Sequence, residues 1–214
     1  MIKNLYEGAS MEYYELHPVT PQMRYINKAV EMLKNGGVII YPTDTVYGLG
    51  CDIFNVEALE RIYTIKLDAG TKLFSFICPD LKDIAKYAKV SDFAYKSMKK
   101  LLPGPYTFVL PAAREVPRKL LTKRKTVGIR IPNNNIALTL AKELGNPIIS
   151  TSVTSRKGEI LFDPLEIQAI FNSQVDLMLA SGVLEGKPSS IIDLSSEVPE
   201  IIREGAGDIS MFLS

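Results

Sequence analysis

The sequence predicts a mixed α/β domain, one twisted sheet with helices packed against it, and three observations predict it. Helical and strand patterns are interleaved along the chain, but without the regular alternation of a doubly wound parallel sheet. The last strand candidates follow one another in succession, which favours a mixed sheet. With 214 residues, 46% of them hydrophobic and 23% charged, the chain can bury a sizeable core without disulfides or structural metals. No internal repeat, low-complexity tract or linker divides it. Residues 1–20 read as an N-terminal extension and 21–214 as the domain.

The elements follow in order. Thr20 reads as the N-cap and Pro21 as the first residue of a helix that Gly36-Gly37 stop, with Met23, Ile26, Val30 and Leu33 as its apolar stripe. Val38 to Tyr41 is a strand that ends in Pro42-Thr43-Asp44-Thr45. Asn55 caps a second helix through Ala58, Leu59, Ile62 and Ile65. Leu73 to Cys78 reads as a strand, and Leu81 to Tyr87 and Ser91 to Leu101 as helices, the latter broken by Pro103-Gly104-Pro105. Tyr106 to Leu110 and Thr126 to Ile131 are strands. Asn135 to Leu144 is a helix closed by Gly145, and Pro147 to Ser150 a buried strand. Asp163-Pro164 opens a last helix, followed by strands at Val175 to Ala180, Ser190 to Leu194 and Glu200 to Arg203.

Composition excludes several chemistries. His17 is the only histidine, which rules out multi-histidine metal sites and argues against a Ser-His-Asp triad. Cys51 and Cys78, 27 residues apart, read as small buried hydrophobes in a reducing compartment. No apolar run approaches the roughly 20 residues of a membrane span, and the N-terminus lacks a signal-peptide pattern, so a cytoplasmic protein without membrane partners is expected. Any chemistry must run on Lys, Arg, Ser, Thr and carboxylates.

Net charge is +1, but Lys96 to Arg130 holds ten basic residues against the single acid Glu115. Its densest part is Arg114, Arg118, Lys119, Lys123, Arg124 and Lys125. Such a run is either a solvated face or a surface for phosphate or RNA. Two hydroxyl-rich segments, Thr43-Asp44-Thr45 and Ser150-Thr151-Ser152-Val153-Thr154, follow strands, where open α/β sheets place ligands. They are equally readable as turns that cap strand ends. Lys66 ends the second helix, where a cation complements the dipole. Arg130 and Arg203 lie among apolar residues and need an anionic partner, a protein carboxylate or a ligand. Neither a phosphate-binding P-loop nor a dinucleotide fingerprint is present.

Six segments in order resemble the YrdC/YciO family of threonylcarbamoyl-adenylate synthase-like proteins, most closely its YciO branch. They are Gly36 to Leu49 (Gly-Gly-Val-Ile-Ile-Tyr-Pro-Thr-Asp-Thr-Val-Tyr-Gly-Leu), Pro103 to Phe108, Gly128 to Pro132, Ser150-Thr151-Ser152, Ser189 to Asp193 and Ile202 to Gly205. The resemblance implies a single YrdC-like domain with a positively charged concave cavity. It implies a nucleotidyltransferase that binds ATP with Mg²⁺, L-threonine and bicarbonate and makes threonylcarbamoyl-adenylate for tRNA modification. An alternative is binding of tRNA or double-stranded RNA without efficient catalysis, with Arg118, Lys119, Lys123, Arg124 and Lys125 on the nucleic acid. Carried over residue by residue, Thr43 belongs to the threonine loop and Lys66 meets the triphosphate. Thr107, Ser150 and Ser152 supply hydroxyls to the ligands, Arg130 lies next to the threonine carboxylate, and Ser189 and Arg203 line the same cavity. Lys66 and Arg130 carry the catalytic charge; Mg²⁺ arrives with ATP, and no metal site of the protein's own is implied.

Two departures from the synthase pattern stand out. The family's Lys-x-Arg is Lys66-Leu67-Asp68 here, and its Ser-x-Asn is Ser152-Val153-Thr154. A unit charge at about 4 Å is worth ~4 kcal/mol at an effective dielectric of ~20 before screening. Exchanging a cation for an anion beside a triphosphate is therefore expected to weaken ATP substantially.

Overall fold

The computed structural model describes residues 10–66, 74–82, 84–117, 120 and 124–213. In chain order its strands and helices are β1 (Glu12–Glu15), α1 (Met23–Lys34), β2 (Ile39–Tyr41), β3 (Gly48–Asp52), α2 (Val56–Ile65) and β4 (Ser75–Ile77). They continue with α3 (Asp92–Leu101), β5 (Tyr106–Pro111), β6 (Thr126–Arg130), α4 (Asn135–Leu144) and β7 (Ile148–Ser152). The last are α5 (Pro164–Phe171), β8 (Leu177–Ala180), β9 (Ser190–Asp193) and β10 (Glu200–Arg203). None of the described helices is long and apolar enough to cross a membrane.

Four helices begin where capping chemistry predicts. Asn55 accepts from Ala58 N at 2.8 Å and Ser91 from Ala94 N at 3.2 Å. Asp163 accepts from Leu165 N, and Asn134 from the amides of both Ile136 and Ala137. Because Asn134 satisfies two otherwise orphaned amides, Asn134→Ala is expected to cost about 1 kcal/mol, read as a lower urea midpoint. The first helix differs from its sequence reading. It starts at Met23 behind Gln22, which makes no side-chain cap bond, while the Thr20 hydroxyl sits 3.1 Å from His17 Nδ1. Met23 is exposed, and Ile26, Ala29, Val30 and Leu33 form the buried stripe. The helix expected at Leu81 to Tyr87 shrinks to a 3₁₀ turn at Ile84–Lys86. Asp80 draws the Lys82 amide into a turn, and Ala88 then bridges to Ala112 as extended chain.

All ten strands join one twisted sheet in the order β1-β8-β2-β3-β7-β4-β6-β5-β9-β10. The pairs β1/β8, β2/β8, β4/β6 and β5/β9 are parallel. The other five are antiparallel, so the sheet is mixed as expected. Two strands escaped the sequence reading: β1, at one edge of the sheet, and β3, whose Gly48-Leu49-Gly50 read as loop.

Period-two alternation assigns the faces. Ile39, Tyr41, Ile77, Ile148, Leu177 and Leu179 pack under α1 and α4, against Ile26, Leu33, Leu140 and Leu144 among others. The intervening Ile40, Phe76, Ile149, Met178 and Ala180 turn to the other side, beneath α2, α3 and α5. Strands in the middle are thus covered on both faces and read as continuous apolar runs. On the α1/α4 face, one row of paired residues runs Gly50, Ser150, Ser75, Gly128, Val109, Asp193 across six strands. These mostly small side chains leave room above the sheet that bulkier ones would fill.

Candidate functional site

That room is a cavity of about 580 Å³, within the usual range for ligand sites. Alternate residues of three strands face it: Thr107 and Val109 from β5, Thr126, Gly128 and Arg130 from β6, Ile191 and Asp193 from β9. A Cβ on Gly128 would stand 3.1 Å from Phe74 O and 3.2 Å from Thr107 Cγ2, so glycine keeps the floor open.

Arg130 shares its row with Ile77, so β6 carries it onto the cavity face at the border of the α1/α4 core. It is 7% exposed. Among the described residues one nitrogen does all its bonding: Nη2 donates to Asp44 Oδ1 at 2.7 Å, Thr45 Oγ1 at 2.7 Å and Thr43 Oγ1 at 3.1 Å. The second Asp44 oxygen accepts from Asn133 N at 3.0 Å. The anionic partner required by the sequence is therefore a protein carboxylate, bonded to Arg130 only through Nη2. Arg130 Nε is buried and has no hydrogen-bond partner among the described residues. Thr43 works inside its own loop. Its hydroxyl donates to Val46 O at 2.6 Å and accepts from the Thr45 and Val46 amides, shaping the turn that presents Asp44.

Arg203 donates from Nε to Ser189 O at 3.0 Å and from Nη2 to Ser189 Oγ at 3.3 Å. Ser189 Oγ in turn lies 3.0 Å from Thr107 Oγ1. No carboxylate pairs with Arg203 among the described residues, and burial together with the nearby Arg130 charge pulls its pKa down. Gly205, two residues on, is fixed by a close approach: a Cβ there would lie 2.3 Å from Pro188 O.

Lys66, the C-cap of α2, follows Ile62 by four residues and so continues the inward face of that helix. It is buried at 4% exposure, and Nζ donates to Ser152 O at 3.0 Å and to Thr154 Oγ1. Both partners are neutral, and burial pushes the amine down to about 8. The residue in place of the family's asparagine, Thr154, is thus a direct partner of the lysine. Ser150 and Ser152 on β7 line the same cavity, Ser150 accepting a hydrogen bond from Tyr41.

The structure therefore brings Thr43, Lys66, Thr107, Arg130, Ser150, Ser152, Ser189 and Arg203 to one cavity. Of the basic segment, Arg124 reaches the cavity wall beside Leu120, while Lys125 is exposed away from it. Arg118, Lys119 and Lys123 lie outside the described residues, as does Asp68. Sequence reasoning missed the edge-to-face pair Tyr63 and Phe74 on the wall and Asp193, the lone carboxylate among the described lining residues. Asp193, with one oxygen accepting from Ser195 N, stood in the family segment Ser189 to Asp193 without a role of its own. Cys51 and Cys78 are both buried free thiols, and burial raises the Cys51 thiol to about 12.

Comparison with known proteins places the chain in a family and its fold among solved structures. The Sua5/YciO/YrdC family model, described as telomere recombination, matches residues 31–205. The YciO protein of Escherichia coli (strain K12) is 44% identical over 204 residues, 94% of this chain and 99% of that protein. Its crystal structure superposes with a TM-score of 0.90 over 95% of this chain and 100% of that one. A threonylcarbamoyl-AMP synthase of Coxiella burnetii is 33% identical over 157 residues, 72% of this chain and 83% of that protein. P. abyssi Sua5, solved in complex with L-threonine, has the same fold, at 24% identity and a TM-score of 0.84 over 93% of this chain and 59% of that one. With a family match over most of the chain and a like fold, the chain belongs to the Sua5/YciO/YrdC family.

Proposed function

We propose that the chain is a threonylcarbamoyl-adenylate synthase-like enzyme that takes MgATP, L-threonine and bicarbonate. One observation carries the reading: Lys66, Arg130 and Arg203 converge on one cavity, and neither Lys66 nor Arg203 is neutralised by a carboxylate among the described residues. A buried cation such as Lys66, or a half-buried one such as Arg203, is costly without counter-charge and calls for an anionic ligand. The synthases in the family and the threonine-bound Sua5 make phosphate and the threonine carboxylate the fitting anions.

The chemistry needs no nucleophilic side chain. The amine of threonine adds to CO₂, released from bicarbonate, and loses a proton to give the carbamate. A carbamate oxygen attacks the α-phosphorus of ATP, the bond from that phosphorus to the bridging oxygen of the β-phosphate breaks, and pyrophosphate leaves. Arg130 and Arg203 hold the carboxylate end through guanidinium nitrogens not committed to Asp44 or Ser189. Lys66 offsets charge on the leaving pyrophosphate, and Thr107, Ser150, Ser152 and Ser189 donate to phosphate or carboxylate oxygens. Thr43 contributes by shaping the loop that carries Asp44. Such catalysis is positioning and electrostatic stabilisation.

The test is pyrophosphate release from ATP with L-threonine, bicarbonate and Mg²⁺, for wild type, Lys66→Ala and Asp68→Arg. Threonine-dependent release in wild type, lost in Lys66→Ala and raised in Asp68→Arg, is the expected result. Absence of release from both wild type and Asp68→Arg would sink it, and salt-sensitive binding of double-stranded RNA or tRNA would then be the reading to pursue.

A further inference from the structure

Tyr41 ends β2 fully buried, and it is not part of the cavity lining. Its ring passes over β3, a route open only because that strand carries two glycines. A Cβ on Gly48 would lie 3.0 Å from Tyr41 Cζ, and one on Gly50 3.1 Å from Cε1. Through this slot the hydroxyl reaches across to β7 and donates to Ser150 Oγ at 2.7 Å. The direction follows from acidity, a phenol being a stronger donor than an alkyl alcohol. Burial holds the Tyr41 phenol well above its ordinary range, so it keeps that proton.

Ser150 has this one hydrogen-bonded partner among the described residues, so its side-chain oxygen is an acceptor toward Tyr41 and its own proton is uncommitted. Ser150 also lines the cavity floor, in the same row as Ser75 and Gly128. Accepting one bond strengthens the other that a hydroxyl donates. We propose that Tyr41 is a positioning residue: by donating to Ser150 Oγ it turns the Ser150 proton into the cavity, onto an anionic oxygen of the ligand, phosphate or carboxylate. The two glycines of β3 then serve the site from a distance, by making room for the ring. This rests on the nucleotide and threonine reading above and adds to it the device that aims one of its donors.

The experiment is calorimetric titration of ATP and, separately, of L-threonine into wild type, Tyr41→Phe, Ser150→Ala and the double variant. Each single substitution is expected to weaken one of the two ligands about three- to tenfold, the worth of one hydrogen bond. The double variant is expected to bind no more weakly than Ser150→Ala, because both changes remove one and the same donor. The ligand that loses affinity identifies the oxygen, phosphate for ATP or carboxylate for threonine. A purely structural role would lower the melting temperature of Tyr41→Phe and leave both affinities unchanged, and that outcome overturns the proposal, as do losses that add in the double variant. Should Tyr41→Phe fail to fold, fluorotyrosine at position 41, a stronger donor of nearly the same shape, is expected to tighten the same ligand, and no change overturns the proposal. Wild type that binds neither ligand overturns the nucleotide and threonine reading itself. Wild type that binds, with Tyr41→Phe indistinguishable from it, overturns the positioning role alone.

Discussion

Lys66→Met is expected to cut threonine-dependent pyrophosphate release by about 10²-fold or more while making the folded chain more stable at pH 7. The two effects share one cause. Lys66 is buried against a carbonyl and a hydroxyl, without a counter-charge among the described residues, and its amine is pushed down to about 8 from an ordinary value near 10.5. Folding thus disfavours the protonated form, a penalty fully present below pH 8 that is relieved as pH rises toward 10.5 and is gone above it, once the unfolded amine is neutral too. A methionine fills similar space without that penalty. Part of the gain is offset by the lysine's two lost hydrogen bonds, leaving a net stabilisation on the order of 1–2 kcal/mol at neutral pH. Urea unfolding of both proteins at pH 7 and at pH 10.5 checks it: the advantage of Lys66→Met should shrink through that window. The same charge is what a polyphosphate would use, so release should fall by about 10²-fold or more in the variant. In wild type, nucleotide affinity should decline above pH 8 as the amine deprotonates. A variant that is both less stable and equally active would refute the account of Lys66 as a cation held ready at the folded state's expense.

The second large effect concerns Asp44. Its carboxylate and Arg130 are each about 10% exposed or less, and the carboxylate is bonded by Arg130 Nη2 and the Asn133 amide. Removing one member leaves the other charge buried and unpaired, which typically costs about 3–5 kcal/mol. Asp44→Ala and Arg130→Met should therefore each lower stability by about that amount in denaturant unfolding, and each should lose pyrophosphate release. Arg130→Met also removes the guanidinium proposed to meet the substrate. The double variant carries no orphaned charge, so its loss should be well below the sum of the two. Single losses under about 1 kcal/mol would show that the pair is solvated in solution and would remove it as the rigid wall of the site.

What was legible in the sequence was what short-range physics writes there. Helices α2 to α5 announced themselves through Asn55, Ser91, the Asn135 to Leu144 stripe closed by Gly145, and Asp163-Pro164, because caps and stripes act within one turn. The hydroxyl segments and lone cations that line the cavity were visible as residues out of keeping with their surroundings, and their order along the chain carried the family resemblance. Strand β3 was illegible because its glycines, which locally signal a turn, are required by the ring of Tyr41 arriving from the neighbouring strand. The first helix was placed too early because Thr20, a good cap in isolation, is drawn to His17 instead.

The pairing of charges could not be read locally at all. Arg130 needed an anion, and only the sheet order, which sets β6 beside β4 while the Thr43 to Val46 loop curls over it, supplied Asp44 from 86 residues away. The same holds for Lys66, whose acceptors Ser152 and Thr154 lie 86 and 88 residues further on. The sequence by itself determined which residues are out of place in a hydrophobic domain and which local elements they sit on. The tertiary structure decided which of those charges face each other and which face the cavity uncompensated, because burial and distance, the two quantities that set an ion's energy, are properties of packed strands far apart in the chain.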